Sequence, residues 1–284
     1  MATTLTLSCT DRGYGARVVD AGRPQQRAQG IPGGGAADPI ATATANRLLN
    51  QASTHPCLET TLRGGNWLLS GTGQIVLTGA ALPWRLNGST VDRYSVLYLD
   101  GEYVLSGGIA HTGCRAYIGI RGTWRLPRIL GSVESGLPGT IRVGPGFSVE
   151  VHAEHEALFC NELPPAIPPS PLLLRANRGP EWRWLSRTQR SWLLDNLFTV
   201  HPQSDRQGIR LHTSVGDPAG QLPGLLSSPV LPGTVQLTPS GPILLGPDAH
   251  TVGGYPRVLQ VTDYAPAFQL RPGERLRFVG LQAS

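Results

Sequence analysis

The chain has 284 residues with a formal charge of +5, only 15% charged residues, 36 glycines and 25 prolines; it is too apolar for a disordered protein and long enough for one large domain or two lobes. All 24 basic residues are arginines, which excludes a Schiff-base lysine, a phosphate-loop lysine and a biotinyl-lysine of its own. The arginines are scattered rather than gathered into runs, so no nucleic-acid footprint is expected and an anionic partner should be small.

In chain order, Met1 to Thr10 lacks a basic region followed by an apolar stretch of signal-peptide length, and the cysteines (Cys9, Cys57, Cys114, Cys160) are far apart; both point to a cytoplasmic protein. No run approaches the roughly 20 apolar residues of a membrane span. Asp20-Ala-Gly-Arg23 leads into Gly30-Ile-Pro-Gly-Gly-Gly-Ala-Ala-Asp38. Successive glycines such as Gly34 and Gly35 are expected to expose N–H donors, and with Asp20, Arg23 and Asp38 beside them they read as a carboxylate or phosphate cradle. The plainer reading is that Asp38 caps a helix starting at Pro39 and ending at Asn50, while Asp20 pairs with Arg23.

Alternating segments follow at 74–78, 84–91, 95–105 and 114–120, with Asn87-Gly88 and Asp100-Gly101 placed for two-residue hairpin turns. His152 and His155, beside Glu154 and Glu156, read as an exposed strand or loop rather than a zinc site, and no metal site is expected. Leu163 to Pro171 carries five prolines and predicts a stiff linker over 164–171, dividing an N-terminal lobe (1–163) from a C-terminal one (172–284).

In the second part, Ser186 and Gln189 predict a capping box ahead of Trp192, Leu193, Leu197 and Phe198. Strands are predicted at 233–237, 242–245, 257–261 and 274–279. Asp205, Arg206 and Arg210 lie within one turn or hairpin and read either as an anion clamp or as an internal ion-pair network. Asp248 precedes Thr251-Val-Gly-Gly-Tyr-Pro256, where Gly253 and Gly254 are expected to aim backbone donors, with at least one at positive φ, and Thr251 and Tyr255 to supply hydroxyls. Gly254→Ala is accordingly expected to destabilise by about 1 kcal/mol or more. No nucleophile elbow, Walker loop or dinucleotide fingerprint occurs, so the chemistry is expected to need a second polypeptide.

Ten stretches in order carry a family resemblance. They are 20–23, 30–38, 45–50, Leu58-Glu59, 77–80, 113–118, 130–132, 204–211, Gly233-Thr-Val-Gln236 and 251–256. The chain resembles the allophanate hydrolase subunit 2, or KipA-like, family, which includes the 5-oxoprolinase C-subunit and half of the carboxyltransferase domain of urea carboxylase. It departs from the family's usual pattern at Val19, Gln207 and Ala249-His250.

The resemblance implies a mainly β chain with a few short helices and two β-rich lobes flanking a groove, the C-terminal lobe a cyclophilin-like barrel. It also implies one component of an ATP-dependent 5-oxoprolinase, working with a KipI-like partner and a LamB/YcsF-like one, with ATP and magnesium in the complex. Anion contacts would fall to Arg23, Arg206, Arg210, Gly253 and Gly254, with Gln236 in the same substrate-binding set. Asp20, Asp38 or Asp248 would orient substrate or magnesium. Two alternatives share the fold: a biotin-dependent carboxyltransferase half-site served by biotin on a separate carrier, and a regulatory antagonist of a KipI-like kinase inhibitor.

Overall fold

The structure, a computed structural model, describes residues 3–153, 169–216 and 222–280. It is mainly β and divides into two units, Met1–Arg23 with Gly34–Ile167 and Pro24–Gly33 with Pro168–Ser284. The short segment Pro24–Gly33 thus belongs with the C-terminal half rather than with its neighbours in sequence. Glu154, His155, Glu156, Cys160 and linker residues 164–168 lie outside the described residues.

The first unit runs β1 (Thr3–Asp11), β2 (Ala16–Val19), α1 (Pro39–Leu48), β3 (Cys57–Thr61), β4 (Arg63–Ala81), β5 (Trp84–Leu86), β6 (Ser89–Thr90), β7 (Val96–Ile109), β8 (Thr112–Ile120), β9 (Thr123–Trp124) and β10 (Ser148–Ala153). They form one sheet in the order β2-β3-β8-β4-β1-β10-β9, with β7 also on β4 and the β5–β6 hairpin on β7. The long strand β4 changes partner along its length, pairing with β1 through Asn66–Gly71 and with β8 from Ile75 to Ala81. Gly71 (φ 109°) stands where the partner changes, and a Cβ there would land on the Thr4 carbonyl.

The Asn87-Gly88 turn is present, with φ of 47° and 84° and Leu86 opposite Ser89, as a primed hairpin turn requires. The Asp100-Gly101 turn is a mistaken expectation. Those residues lie inside β7, where Gly101 (φ 123°) faces Gly71 and Thr72 Oγ1 donates to Asp100 Oδ1 at 2.7 Å. A ladder with β4 that runs without a gap from Gly107 back to Val96 outweighs a local turn preference, and the paired glycines absorb a bend instead of reversing the chain.

Helix α1 begins as predicted: Asp38 Oδ1 accepts from the Ala41 N–H at 3.0 Å with Pro39 first in the helix, while Asn50 (φ 49°) lies just past its end. Its buried face, Ala41, Ala45 and Leu48, packs on Val76 and Tyr117. A separate core cluster centres on Leu5, Leu7, Trp67, Leu69, Leu77 and Ile118. Burying each such large side chain stabilises the fold by about 1.5–3 kcal/mol before chain entropy is counted.

The second unit contains β11 (Leu172–Arg178), α2 (Arg187–Asp195), β12 (Phe198–Val200), β13 (Gly208–His212), β14 (Ser228–Pro229), β15 (Thr234–Thr238), β16 (Gly241–Leu245), β17 (Val252–Gly253), β18 (Arg257–Val261) and β19 (Arg275–Gly280). Seven of these close a barrel in the order β11-β18-β15-β16-β13-β12-β19, and β14 pairs with β17 beside it. This is the barrel that the resemblance implied. The capping box forms, Ser186 Oγ accepting from Gln189 N–H (3.2 Å) and Gln189 Oε1 from Ser186 N–H (2.7 Å). The helix stops at Asp195, so Leu197 and Phe198 fall outside it; Phe198 opens β12 and lies edge-on to Trp192, centroids 5.2 Å apart. Among the described residues no helix is long and apolar enough to cross a membrane.

Candidate functional site

In the first unit, the glycine-rich loop is held by two buried glutamates, Glu59 and Glu134, each 1% exposed. Glu134 Oε2 accepts from the Gly35 N–H (2.9 Å), with Arg23 Nη1 at 3.6 Å; Arg17 Nη2 lies 3.7 Å from Oε1. Arg23 is 2% exposed and also donates to the main-chain oxygens of Ile129 (3.2 Å) and Glu134 (2.8 Å). Glu59 Oε2 accepts from the Ala37 N–H (3.0 Å) and from the Tyr117 hydroxyl (2.9 Å), with Arg115 Nε 3.9 Å from Oε1. The Asp38 N–H donates to Tyr117 Oη at 2.8 Å.

These bonds revise the cradle expectation. The N–H groups of Gly35, Ala37 and Asp38 face carboxylates and a phenol of the protein itself, since a desolvated donor is satisfied by the nearest anion and Glu59 and Glu134 are already there. Arg23 is joined to Glu134 rather than to Asp20. Asp20 accepts from the Gly22 N–H (2.8 Å), the Ser132 hydroxyl (2.6 Å) and the Val133 N–H (2.9 Å), an arrangement that ties the segment around Ser132 to the end of β2. Gly34 takes φ 68° against the Glu134 carboxylate. Asp20, Arg23, Gly34, Gly35 and Asp38 therefore share one hydrogen-bonded neighbourhood built on Glu59 and Glu134.

In the second unit, Arg206 (8% exposed) and Asp248 form a two-bond fork, Nε to Oδ2 at 2.9 Å and Nη2 to Oδ1 at 2.8 Å. Asp205 accepts from the N–H groups of Gln207 (2.8 Å) and Gly208 (3.2 Å), closing the turn into β13. The ion-pair reading of this stretch holds for Arg206. Arg210 is exposed on β13, and its N–H donates to Ser204 Oγ at 3.1 Å.

Gln236 is buried and donates to the Tyr255 carbonyl at 3.1 Å; the Tyr255 side chain is exposed. The Thr251 carbonyl accepts from the Val230 N–H at 3.1 Å. Neither Gly253 nor Gly254 has positive φ, which overturns that expectation. Gly253 pairs with Ser228 in the β14–β17 ribbon, and a Cβ on it would lie 2.5 Å from Gln236 Nε2 and 2.9 Å from His250 Nε2. Close approach of the Gln236 and His250 side-chain ends, not backbone handedness, is what a Cβ at 253 would disturb.

Two sets of residues escaped the sequence reading. Arg27, in the turn Arg27–Gln29, donates to the carbonyls of Val230 (2.7 Å), His250 (2.8 Å) and Ala249 (3.3 Å). Burial lowers its pKa, and burial together with the Arg27 charge lowers that of His250. Tyr264 is raised chiefly by burial, with Arg206 and Arg27 opposing and Asp248 adding to the shift. The buried glutamates had a signal: Leu58-Glu59 and Val133-Glu134 each place an acid directly after a large apolar residue, where a core carboxylate needs an arginine nearby. For Arg27 no local signal exists, because its acceptors lie more than 200 residues away.

Known proteins share this architecture. A family model described as carboxyltransferase domain, subdomain A and B, matches residues 29–280. The C-subunit of the 5-oxoprolinase of Haemophilus influenzae is 29% identical over 272 residues, 93% of this chain and 87% of that protein. The urea amidolyase of Saccharomyces cerevisiae is 25% identical over 282 residues, 89% of this chain but only 15% of that much longer protein. Of solved structures, TTHA0988 superposes with a TM-score of 0.84 and 25% identity over 96% of this chain, which spans 55% of that one. With its match running from the glycine-rich loop to the last barrel strand, the chain belongs to the carboxyltransferase domain, subdomain A and B, family.

Proposed function

We propose that this chain is the C-subunit of a bacterial ATP-dependent 5-oxoprolinase, acting with a KipI-like protein and a LamB/YcsF-like protein to open 5-oxoproline to glutamate. The observation that carries the reading is coverage: the match spans nearly the whole of a protein named as a 5-oxoprolinase C-subunit, whereas it spans a small fraction of urea amidolyase. The lactam is resonance-stabilised, so ring opening needs activation of its carbonyl oxygen, for which phosphoryl transfer from ATP is the chemistry supplied in the complex.

A triphosphate with magnesium needs uncompensated cations. Arg23 and Arg206 are matched by Glu134 and Asp248, and the chain has no lysine, so these residues do not fit a triphosphate cradle. In this proposal ATP and magnesium are taken by the KipI-like protein, while this chain binds and orients the ring. Asp248 then acts by holding Arg206 in place, and Asp20 and Asp38 by holding the glycine-rich loop, as positioning residues.

The family match favours one second reading, a carboxyltransferase half-site receiving carboxybiotin from a separate carrier. The deciding experiment co-purifies the chain with KipI-like and LamB/YcsF-like proteins and measures ADP and glutamate formed on 5-oxoproline. Turnover is expected from the assembly and none from the chain alone. Robust turnover by the lone chain refutes the partner requirement. Carboxyl transfer from a biotinylated carrier, without a response to 5-oxoproline, replaces the first reading by the second.

A further inference from the structure

Arginines that look scattered along the sequence are gathered by the fold at one place on the second unit. From Arg178 to Arg190 the chain carries four arginines and a single acid, Glu181. Glu181 is buried and committed to Arg257, which donates to it at 2.9 and 2.7 Å. Arg178, Arg183 and Arg187 are exposed and Arg190 is half-buried, and among the described residues none of the four has a carboxylate within 4 Å. Their positions are fixed by contacts. The Arg178 and Arg190 guanidinium carbons lie 6.0 and 5.5 Å from the centroid of the buried Trp182 ring, and Arg190 Nη2 donates to the Arg183 carbonyl at 3.3 Å. A guanidinium laid on an indole keeps N–H donors at its edge for an anion and has less freedom to lose when one binds.

The charge pattern of α2 is the second observation. The helix opens on Arg187, has no acid in its first turn, and carries Arg190 three residues on. Cations at a helix N-terminus oppose its dipole, and like charges three residues apart repel one another. The capping box and the buried Trp192 and Leu193 hold the helix in spite of this. A helix charged against its own stability is an arrangement that an external anion relieves. Of the three tryptophans here, Trp182 and Trp192 are buried while Trp184 is 43% exposed. The turn that carries Trp184 is pinned, its N–H donating to the Glu181 carbonyl at 3.0 Å and the Gly179 N–H to the Val258 carbonyl of β18 at 2.9 Å.

We propose that this face docks an acidic segment of a partner protein, with Trp184 entering an apolar recess between the partner's carboxylates. An exposed tryptophan among arginines is the composition of interface hot spots. A single-stranded nucleic acid calls for a succession of stacking rings, and this stretch exposes one. An anionic membrane calls for several large apolar side chains beside the charges, and between Arg178 and Arg190 only Trp184 is such a residue and exposed. Carboxylates on a folded or extended partner match unpaired, pre-positioned guanidinium groups, which accept them two bonds at a time. The docking face does not depend on which substrate the chain handles.

The test titrates the full chain at low salt, by fluorescence anisotropy, with a fluorescein-labelled peptide of glutamates interrupted by leucine. An all-glutamate peptide, oligothymidylate and phosphatidylglycerol vesicles serve as comparisons at equal anionic charge. The wild type should bind the leucine-bearing peptide roughly threefold more tightly than the all-glutamate one and roughly tenfold more tightly than oligothymidylate or vesicles, with affinity falling as salt rises. Arg187→Glu should weaken the peptide roughly tenfold while Tm stays unchanged or rises, because the substitution puts an acid where the helix dipole favours one. Trp184→Ala should erase the preference for leucine and leave binding of the all-glutamate peptide unaltered. No binding of either peptide, unchanged binding in both variants, or tighter binding of oligothymidylate or vesicles overturns the proposal. A fall in Tm with Arg187→Glu assigns that arginine to the stability of α2 and overturns the reading of the helix.

Discussion

Replacing Gly34 by alanine tests how the glycine-rich loop is held. Gly34 sits at φ 68°, and the added Cβ would land on Glu134 Oε2, with the Glu134 Oε1 oxygen 3.1 Å away. A left-handed alanine costs about 1 kcal/mol. The carboxylate must also move, and it is gripped by the Gly35 N–H, Arg23 and Arg17; losing one charge-assisted hydrogen bond in a buried setting adds about 1.5–3 kcal/mol. The total is about 2.5–4 kcal/mol, a fall in Tm of roughly 5–16 °C for a unit of this size. Thermal and urea unfolding measure it against Gly33→Ala, where a Cβ meets nothing within 4 Å and the change should stay within about 0.5 kcal/mol. In a Glu134→Ala background the clash disappears, so Gly34→Ala should there cost only its backbone share. Equal effects of the two glycine variants, or the same Gly34→Ala penalty in both backgrounds, would refute the reasoning.

Gly254→Ala should be nearly neutral, within about 0.5 kcal/mol, because its Cβ meets only the Leu225 carbonyl at 3.4 Å; Gly253→Ala should destabilise by about 1–3 kcal/mol by crowding Gln236 and His250, and melting curves of the two variants settle the order. Glu181 has its pKa lowered, first by its side-chain bonds to Arg257, which donates to it at 2.9 and 2.7 Å. A lowered folded-state value means the stabilisation is complete above the unfolded glutamate's pKa, about 4.3, and is lost as pH falls through the folded value. The Tm gap between wild type and Glu181→Gln should therefore close on acidification below about pH 4, and a gap constant from pH 7 to pH 3 would count against it. Burial pushes the Cys57 thiol up to about 12. Peptide mapping after iodoacetamide at pH 8 should find Cys57 unmodified in the native protein and alkylated in urea, because the thiolate is the reactive form.

What the sequence disclosed was governed by distance along the chain. The caps at Asp38 and Ser186 and the Asn87-Gly88 turn are decided within four residues, and all three form. Asp100-Gly101 carries the same local turn chemistry but pairs with Gly71 and Thr72, some thirty residues back, so a non-local ladder decided it. Residues of the candidate site became legible only as types: Arg23 was seen without Glu134, 111 residues on, and Arg206 without a definite partner until Asp248, 42 residues on, closed the fork. The barrel itself was legible through family resemblance, since β11, β12 and β13 carry no pattern that had marked them as strands.

The ten residues Pro24–Gly33, assigned to the second unit though flanked by the first, impose an order on biosynthesis. Arg27 is translated early, but its acceptors at Val230, Ala249 and His250 follow 203 to 223 residues later. At about 5–20 residues per second the segment waits about 10–45 s on the ribosome for them. During that wait a loop drawn from the N-terminal part of the chain must stay uncommitted while the strands on both sides of it are already available to pair. A fragment beginning at Pro168 would lack this segment and should fold properly only when a peptide spanning 24–33 is added back.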